Sequence, residues 1–394
     1  MIVKIDGQIV DFFTDVEIEL KLDSIASTFT FASRFSPQEK AHQEIFKPLQ
    51  YKRVEIFNNK EKLLLTGTIL NHRFKSSSLR HLVTISGYSM SGILEDVTIP
   101  VKNYPLESTG RSLEDIAKRL CGLFNIGLVI ADNSKKLAYE PLPKEKKIFF
   151  SDKTVFDKLK AKTKSIFGRT SAGPTETVKG YLAKLASQKN ILMSNTAKGE
   201  VIFYTVDYLQ KPRFFFDKYN TLEMDYTING QGLHSEINVV RQPSNENAGV
   251  STTDKAINTL IPVYRPTTKV LSSGTDTETK EGAQNELAAE LRAITLSIKL
   301  QGVEAFQDIT PGEIVNVHNH YIYCYAYNRF MVNNIRFKEN QNEETTEIDL
   351  LIPEAFTGGP LIRNIFFNHD DPDYHIEPDL NESESLYTNR KDIL

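Results

Sequence analysis

Tryptophan is absent from this sequence of 394 residues, and cysteine occurs only twice, at Cys121 and Cys324. The two cysteines lie far apart and form no CxxC pair, so the sequence predicts two buried thiols rather than a disulfide framework or a zinc knuckle. A basic surplus is also missing, because the formal net charge is −4. We therefore expect no sequence-specific nucleic-acid partner, although this charge is compatible with a channel through which DNA passes without binding.

Long apolar runs are missing as well. The most apolar run, residues 120–131, is interrupted by Asn125 and is too short to cross a bilayer. The N-terminus, MIVKIDGQIV, has no signal-peptide pattern. We expect a chain without a membrane-spanning segment that folds in a reducing cytoplasm.

The common catalytic signatures GxxxxGK[ST], HExxH and G-x-S-x-G do not occur. Residues 230–232 (GQG) lack the third glycine of a dinucleotide-binding loop and predict a tight turn. His318 and His320 would share a strand face, but no neighbouring ligand completes a metal site, so a solvated face is favoured. The acidic run 369–373 lacks the spacing of a calcium-binding loop. The sequence predicts no catalytic, cofactor-binding or metal-binding residue, and no enzyme.

Phenylalanine and tyrosine are abundant, with 23 and 16 residues, and both favour strands. Apolar and polar residues alternate in VEIELKLD (16–23) and STFTFAS (27–33), as in half-buried strands. Similar segments continue to residue 88 and return after residue 219. The sequence predicts a β-rich α+β fold with two related antiparallel β-barrel domains and inserted helix–strand units.

Two helix–strand units separate these strand regions. Residues 107–131 begin with Ser and Thr caps followed by apolar residues at helical spacing. Residues 175–206 predict a capped helix, a strand, a Lys-Gly turn and a second strand. Between them, residues 144–169 contain nine basic and three acidic residues. We interpret this stretch as a helix with a solvated lysine face, and an acidic partner or the nucleic-acid backbone are the alternatives.

These patterns divide the chain into four regions. They are a first barrel domain (1–104), an inserted helix–strand region (105–218), a second barrel domain (219–356) and an acidic C-terminal tail (357–394). A polar segment with little periodicity, 243–285, predicts a long loop or arm within the second barrel, followed by a helix at about 282–293. The end of the chain carries eight acidic and two basic residues over 366–394, which predicts disorder or docking on a partner.

The two strand regions resemble each other in collinear order, which suggests an internal duplication. The matched segments are 25–31 with 233–239, 54–58 (Val-x-Ile-x-Asn) with 315–319 (Val-x-Val-x-Asn), and 73–75 with 336–338 (both Arg-Phe-Lys). Their offsets are 208, 261 and 263 residues. The increase after the first match predicts a large loop inserted into the second copy.

Several segments also resemble a known family, the phage baseplate hub proteins of the Mu-like and late-control-D type. The resembling segments are IDGQIVDFFTDVEIELKLDSIASTFTF, VTISGYSMSGILEDVTIP, STGRSLEDIAKRLCGLFNIGLVI, TVKGYLAKLASQKNILMSNTAKGEVIF and ITPGEIVNV. They are distributed over about residues 1–355 and consist of structural turns and strands rather than a reactive signature.

The resemblance implies a homotrimer with two related barrels per chain. Such a ring joins a sixfold tail tube to a threefold spike and lines a channel for DNA. It implies location in the virion baseplate and contacts with the tail spike, the tail tube, baseplate wedge proteins and the tape-measure protein. Two alternatives remain open: a tail protein that binds or degrades peptidoglycan, and a nucleic-acid binder that uses residues 144–169.

Overall fold

The structure is a computed structural model. The residues it describes are 1–10, 13–77, 81–103, 110–131, 152–167, 171–173, 175–189, 191–206, 211–241, 253–271, 276–340, 342–357 and 365–366. The chain forms two compact units. Unit 1 consists of Met1–Asp207, Gly302–Ile309 and Asn334–Thr346, and unit 2 consists of Tyr208–Gln301, Thr310–Asn333 and Glu347–Leu394. No helix among the described residues combines the length and apolar character needed to span a membrane.

Unit 1 contains ten complete strands and five helices among its described residues. The strands are β1 (Ile2–Ile5), β2 (Gln8–Val10), β3 (Phe13–Lys21), β4 (Thr28–Arg34), β5 (Arg53–Phe57), β6 (Leu63–Ser76), β7 (His81–Ser89), β8 (Leu128–Ile130), β9 (Leu192–Asn195) and β10 (Val201–Tyr204). The helices are α1 (Lys40–Ile45), α2 (Ile93–Asp96), α3 (Leu113–Gly122), α4 (Asp152–Lys164) and α5 (Val178–Ser187).

The remaining elements lie wholly or partly in unit 2. They are β11 (Phe214–Asp217), β12 (Glu223–Ile228), β13 (Glu236–Arg241), β14 (Thr253–Ile257), β15 (Pro266–Leu271), β16 (Ile294–Gln301), β17 (Ile314–Asn319), α6 (Asp276–Leu291) and α7 (Glu354–Thr357). Two further strands, β18 (Cys324–Asn340) and β19 (Glu344–Leu351), contain residues of both units.

The main sheet of unit 1 has the hydrogen-bonded order β3-β4-β7-β6-β5-β1-β2, and every neighbouring pair is antiparallel. The alternation in β4 buries Phe29 and Phe31, whose ring centroids lie 5.1 Å apart. Gly67 on β6 and Gly87 on β7 leave room for the Phe29 ring. Burying a phenylalanine contributes roughly 2–3 kcal/mol, so these glycines allow one of the larger contributions to this core.

The predicted helix–strand units are confirmed. The Ser112 hydroxyl caps α3 by accepting a hydrogen bond from the Asp115 amide (3.1 Å), and Thr177 caps α5 in the same way through the Gly180 amide (3.0 Å). The strands form a small sheet of order β8-β10-β9. The Lys-Gly turn is present between β9 and β10, where Gly199 has a φ of +78°. The two helix–strand units share one apolar core, because buried residues of α3, α5, β9 and β10 pack together.

The basic stretch is also helical where it is described. Helix α4 covers Asp152–Lys164 and packs Leu159, which is 1% exposed, into the core of the helix–strand units. Lys160 and Lys164 face solvent. Residues 144–151 of the predicted basic stretch lie outside the described residues.

The second half of the chain repeats the strand order of the first. Its order is β12-β16-β19-β18-β17-β11, which corresponds to β3-β4-β7-β6-β5-β1. The pairing registers agree as well: Val54 lies opposite Gly67 on β6, and Val315 lies opposite Phe330 on β18. The offsets of these two pairs, 261 and 263, are those of the second and third sequence matches. One difference is that β1 is antiparallel to β5, whereas β11 is parallel to β17.

The first sequence match was wrong. Residues 25–31 lead into β4 of the main sheet, whereas 233–239 lead into β13, the centre of a separate three-stranded sheet of order β14-β13-β15. By strand order, the counterpart of β4 is β16 (Ile294–Gln301). Any two amphipathic strands match at a period of two residues, so alternation alone did not identify the right partner.

The prediction of a long loop over 243–285 was also wrong for much of that segment. The structure has β14, β15 and the start of α6 there, while residues 242–252 and 272–275 lie outside the described residues. Helix α6 begins at Asp276, before the predicted start, and buries Ala283, Leu287 and Leu291. The insertion therefore separates β12 from β16 as a folded element of three strands and a helix.

The structure confirms the β-rich α+β class. Within the described ranges, the strand orders are open, and no pairing joins β2 back to β3 or β11 back to β12. The acidic C-terminal tail lies outside the described residues, except for part of its start and Ile365 and Phe366.

Both cysteines are buried and unpaired, as the sequence predicted. Burial raises the pKa of Cys121 to about 12. Burial also raises the pKa of Cys324 to about 11, although a hydrogen bond with Asn328 acts in the opposite direction. Neither side chain carries thiolate at neutral pH, and the thiolate is the reactive form.

We expect both thiols to be unreactive towards an aromatic disulfide reagent at pH 8 while the chain is folded. In denaturant, both should react, with a stoichiometry of two per chain. Rapid labelling of either cysteine in the folded protein, detected by absorbance of the released thiol, would contradict the buried positions.

The close packing around Phe29 gives a second prediction. A Cβ at position 87 would lie 1.9 Å from the Thr68 carbonyl oxygen and 2.7 Å from the Phe29 ring. Gly87→Ala should therefore destabilise unit 1 by about 2–3 kcal/mol or more, seen as a lower melting temperature. Gly122→Ala is the matched control, because a Cβ there meets nothing within 4 Å, and alanine favours helices. Equal melting of both variants and the original protein would disprove the close approach.

Candidate functional surfaces at two equivalent turns

The residues that the sequence singled out do not assemble into a chemical site. His318 lies on β17, while His320 lies in the 3-10 turn that follows, so their predicted shared strand face was wrong. Burial and the neighbouring His320 lower the pKa of His318, which is therefore neutral at pH 7. Among the described residues, no group of three His, Cys, Asp or Glu side chains has metal-binding geometry.

The two other candidate segments have simple outcomes. Residues 230–232 form a 3-10 turn in which the Asn229 side chain accepts a hydrogen bond from the Gln231 amide (3.1 Å), so the predicted tight turn is confirmed. The acidic run 369–373 lies outside the described residues.

The hairpin turn between β5 and β6 is held by a buried asparagine. Asn58 is fully buried, and its Oδ1 accepts hydrogen bonds from the amides of Lys60 (3.0 Å) and Lys62 (2.7 Å). Glu61 adopts a left-handed conformation with a φ of +59°. Asparagine at the start of a turn satisfies backbone donors that the strands cannot reach. We call residues 59–62 the charged turn.

The hairpin turn between β17 and β18 is also held by a buried asparagine. Asn319 is buried, and its Oδ1 accepts a hydrogen bond from the Tyr321 amide (3.0 Å). Its Nδ2 donates to the sulfur of Met224 at 3.5 Å. Tyr323 takes the left-handed position, with a φ of +65°, and its amide donates to the His320 carbonyl (3.4 Å). We call residues 320–323 the aromatic turn.

Both lysines of the charged turn pair with one carboxylate, that of Asp308. Lys60 and Lys62 place their Nζ atoms 3.6 Å and 3.4 Å from the carboxylate of Asp308. Partial burial would raise the pKa of Asp308, but the two lysines outweigh it and lower the pKa. Exposed ion pairs of this kind contribute little stability, about 0–1 kcal/mol. The surface of this turn is therefore polar and well hydrated.

The aromatic turn exposes ring surface instead. Tyr321 is 73% exposed, and Tyr219, in the loop after β11, is 76% exposed. The Lys218 ammonium lies over both rings, 4.8 Å and 4.9 Å from their centroids. The side-chain hydrogen bond with Tyr219 raises the pKa of Lys218, so this residue stays charged. His320 packs on Tyr321 with a centroid distance of 4.1 Å.

Two large, neighbouring aromatic side chains that are both exposed to solvent suggest a surface that contacts another protein. Tyrosine supplies large amphipathic contact area at low entropic cost, and clusters of exposed tyrosine mark interaction sites more often than solvated loops. A left-handed tyrosine also costs backbone energy, of order 1 kcal/mol or more. Sequence reasoning missed this surface because Lys218 and Tyr219 are a hundred residues from the turn, and only the parallel pairing of β11 with β17 brings them together.

Comparison with known proteins adds a fold-level likeness. No protein-family model matches the chain, and no curated protein matches it in sequence. The 43 kDa tail protein of prophage MuSo2 from Shewanella oneidensis is similar in structure, with a TM-score of 0.70, 15% identity, and coverage of 90% of this chain and 98% of that one. A tail protein from Neisseria meningitidis MC58 gives a TM-score of 0.69 with 18% identity over 90% and 97% of the two chains.

A third similar structure comes from a secretion system. It is an E. coli component of the type VI secretion system, described as structurally similar to tail proteins of bacteriophage T4, with a TM-score of 0.51 and 8% identity over 93% of this chain and 80% of that one. At these identities the likeness concerns the fold. The chain therefore has the fold of phage tail proteins, as its sequence resemblance implied.

Proposed function

We propose that this chain is a structural, non-enzymatic baseplate hub of a phage tail. The observation that carries the proposal is the repeated strand order, β3-β4-β7-β6-β5-β1 and β12-β16-β19-β18-β17-β11, with matching registers at the two asparagine turns. The fold shared with two phage tail proteins over about nine tenths of this chain supports it. The proposed location is the baseplate of the virion.

The physical reason for a repeated unit is a mismatch of symmetry. A tail tube of sixfold symmetry and a spike of threefold symmetry cannot contact one another through equivalent surfaces. A homotrimer with two related domains per chain presents six similar units to the tube and three identical chains to the spike. We propose that in this assembly each of the two domains predicted from the sequence, residues 1–104 and 219–356, curls into a barrel. The barrels then line a channel for DNA.

The differences between the two turns suggest that they contact different partners within such a ring. A sixfold partner must find similar chemistry on both copies, because it contacts them alternately. A threefold partner can use features that only one copy has. The charged turn and the aromatic turn are each held by a buried asparagine but carry different side chains. We assign the aromatic turn, with Lys218 and Tyr219, to contact with the threefold spike.

The other proposed partners follow from the same position in a tail. They are the tail tube, the baseplate wedge proteins and the tape-measure protein. The net charge of −4 is compatible with a channel that does not retain the phosphate backbone. The structural likeness to a secretion-system component supports a role in a contractile injection apparatus.

The oligomeric state is the first test. Native mass spectrometry of the purified chain, alone and with the spike protein of the same phage, should give an assembly of three times 44.7 kDa. A stable monomer that persists with the spike present would overturn the trimeric hub.

The aromatic turn gives a second test. Replacing Tyr219 and Tyr321 with serine should weaken binding of the trimer to the spike protein at least about tenfold, or about 1.4 kcal/mol, measured by biolayer interferometry. Trimer mass and melting temperature should not change, because both side chains are mostly exposed. The matched control replaces Lys60 and Lys62 with serine at the charged turn and should keep spike binding. Equal losses in both variants would contradict the assignment of the aromatic turn.

The peptidoglycan alternative is tested by zymography of the purified chain on cell-wall material. We expect no clearing. Clearing that disappears on replacement of a single carboxylate would identify an enzyme instead of a purely structural hub.

A further inference from the structure

A cleft of about 410 Å³ lies in the helix–strand units of unit 1, and the proposed hub function does not use it. Its lining is formed by α3, β8 and α4, through Glu114, Lys118, Leu128, Ile130, Lys160 and Lys164. Helix α4 belongs to the basic stretch that stood out in the sequence. The cleft thus gives that charge anomaly a specific place in the fold.

The cleft combines a basic rim with an aliphatic floor. Among the described lining residues, three are lysines and one is a glutamate, and Lys118 forms an ion pair with Glu114 at 2.6 Å. Lys160 and Lys164 lie four residues apart on α4 and therefore on the same helix face. Leu128 and Ile130 lie two residues apart on β8 and point to the same side of the strand.

The floor strand is also at the edge of its sheet. Within the part of the chain that the structure describes, β8 pairs only with β10, in parallel. The Gly127 carbonyl accepts from the Val201 amide (2.9 Å), and the Ala131 amide donates to the Phe203 carbonyl (2.8 Å). Since backbone groups alternate sides along a strand, the N–H and C=O groups of Leu128 and Ile130 point away from β10. A strand edge that no described strand covers can accept an added strand.

We propose that this cleft binds an acidic peptide segment of a partner protein in an extended conformation along β8. Backbone hydrogen bonds to Leu128 and Ile130 supply the pairing. Alternate side chains of the peptide fall on the aliphatic floor and on the lysine rim, where carboxylates pair with Lys118, Lys160 and Lys164. This occupant fits the charge of the rim and the apolar floor at the same time.

A nucleic-acid strand fits the cleft less well. Proteins that hold single strands combine basic residues with aromatic rings on which bases stack, and none of the described residues that line the cleft is aromatic. The aliphatic floor has no counterpart in a phosphate backbone. Nucleic acid therefore serves as the competing outcome of the test rather than as the proposed ligand.

Fluorescence anisotropy with the full-length chain tests the proposal. The labelled probe stands in for the acidic segment of the partner. It is a synthetic peptide with the sequence of residues 367–394, which contains eight carboxylate side chains and two basic ones. In the protein used, the same eight carboxylates are replaced by amides, so that the chain does not compete with its probe. We expect saturable binding that is lost when the carboxylates of the probe are also replaced by amides.

Two charge-reversal variants distinguish the cleft from general electrostatic attraction. Lys160→Glu with Lys164→Glu should weaken binding at least about tenfold. Lys184→Glu with Lys198→Glu makes the same change of charge on exposed residues outside the cleft and should alter binding less than about twofold. Lys160→Arg with Lys164→Arg should retain binding, and melting curves check that every variant is folded.

The proposal is overturned if the acidic probe does not bind, or if both charge reversals weaken binding equally. It is also overturned if a 24-nucleotide single-stranded DNA binds more tightly than the peptide and depends on Lys160 and Lys164. These results are independent of the trimer mass and of spike binding, so the hub function and the peptide cleft can fail separately.

Discussion

A buried asparagine at the end of a strand is the interaction on which both halves of this chain depend. Asn58 and Asn319 each use a side-chain oxygen to satisfy amides of the following turn, and each turn contains one left-handed residue. An intramolecular hydrogen bond of this kind contributes about 0.5–1.5 kcal/mol to stability. The turn fixes the register of its hairpin, and the register decides which side chains of β5, β6, β17 and β18 face the core.

Because the asparagine fixes the backbone, the other turn residues are free to differ. The charged turn carries two lysines that both pair with Asp308, and the aromatic turn places Tyr321 beside Lys218 and Tyr219. The two copies also differ in the size of the side chain at one paired position of the sheet. Gly67 makes room for Phe29 in one copy, while its counterpart by register, Phe330, is itself a buried aromatic residue in the other. A duplicated fold can thus keep its strand pairing and still present two different surfaces.

Much of the fold was predictable from the sequence, and the failures have physical causes. The caps at Ser112 and Thr177 mark helix starts because their hydroxyls have a specific amide to satisfy. The match of 54–58 with 315–319 was correct because it included an asparagine whose side chain accepts hydrogen bonds from amides of the following turn. The match of 25–31 with 233–239 rested on alternation alone, which many strand pairs share. Strands β14 and β15 were missed because they are short and polar: both depend on pairing with β13, and β14 also packs against α6.

The surfaces were less predictable than the fold, since they depend on contacts between distant parts of the chain. The net charge of −4 conceals strong local charge: a basic stretch of +6 over residues 144–169 and an acidic one of −6 over 366–394, counted from the side chains of each segment. Coulomb interactions in water act over about 10 Å at ordinary ionic strength, so the local charge rather than the net charge decides which partner a surface attracts. The channel that we propose for DNA would require this separation, because the same lysines placed along it would retain the phosphate backbone. The position of Lys118, Lys160 and Lys164 around an aliphatic floor, beside a strand edge, is accordingly better suited to a peptide than to DNA.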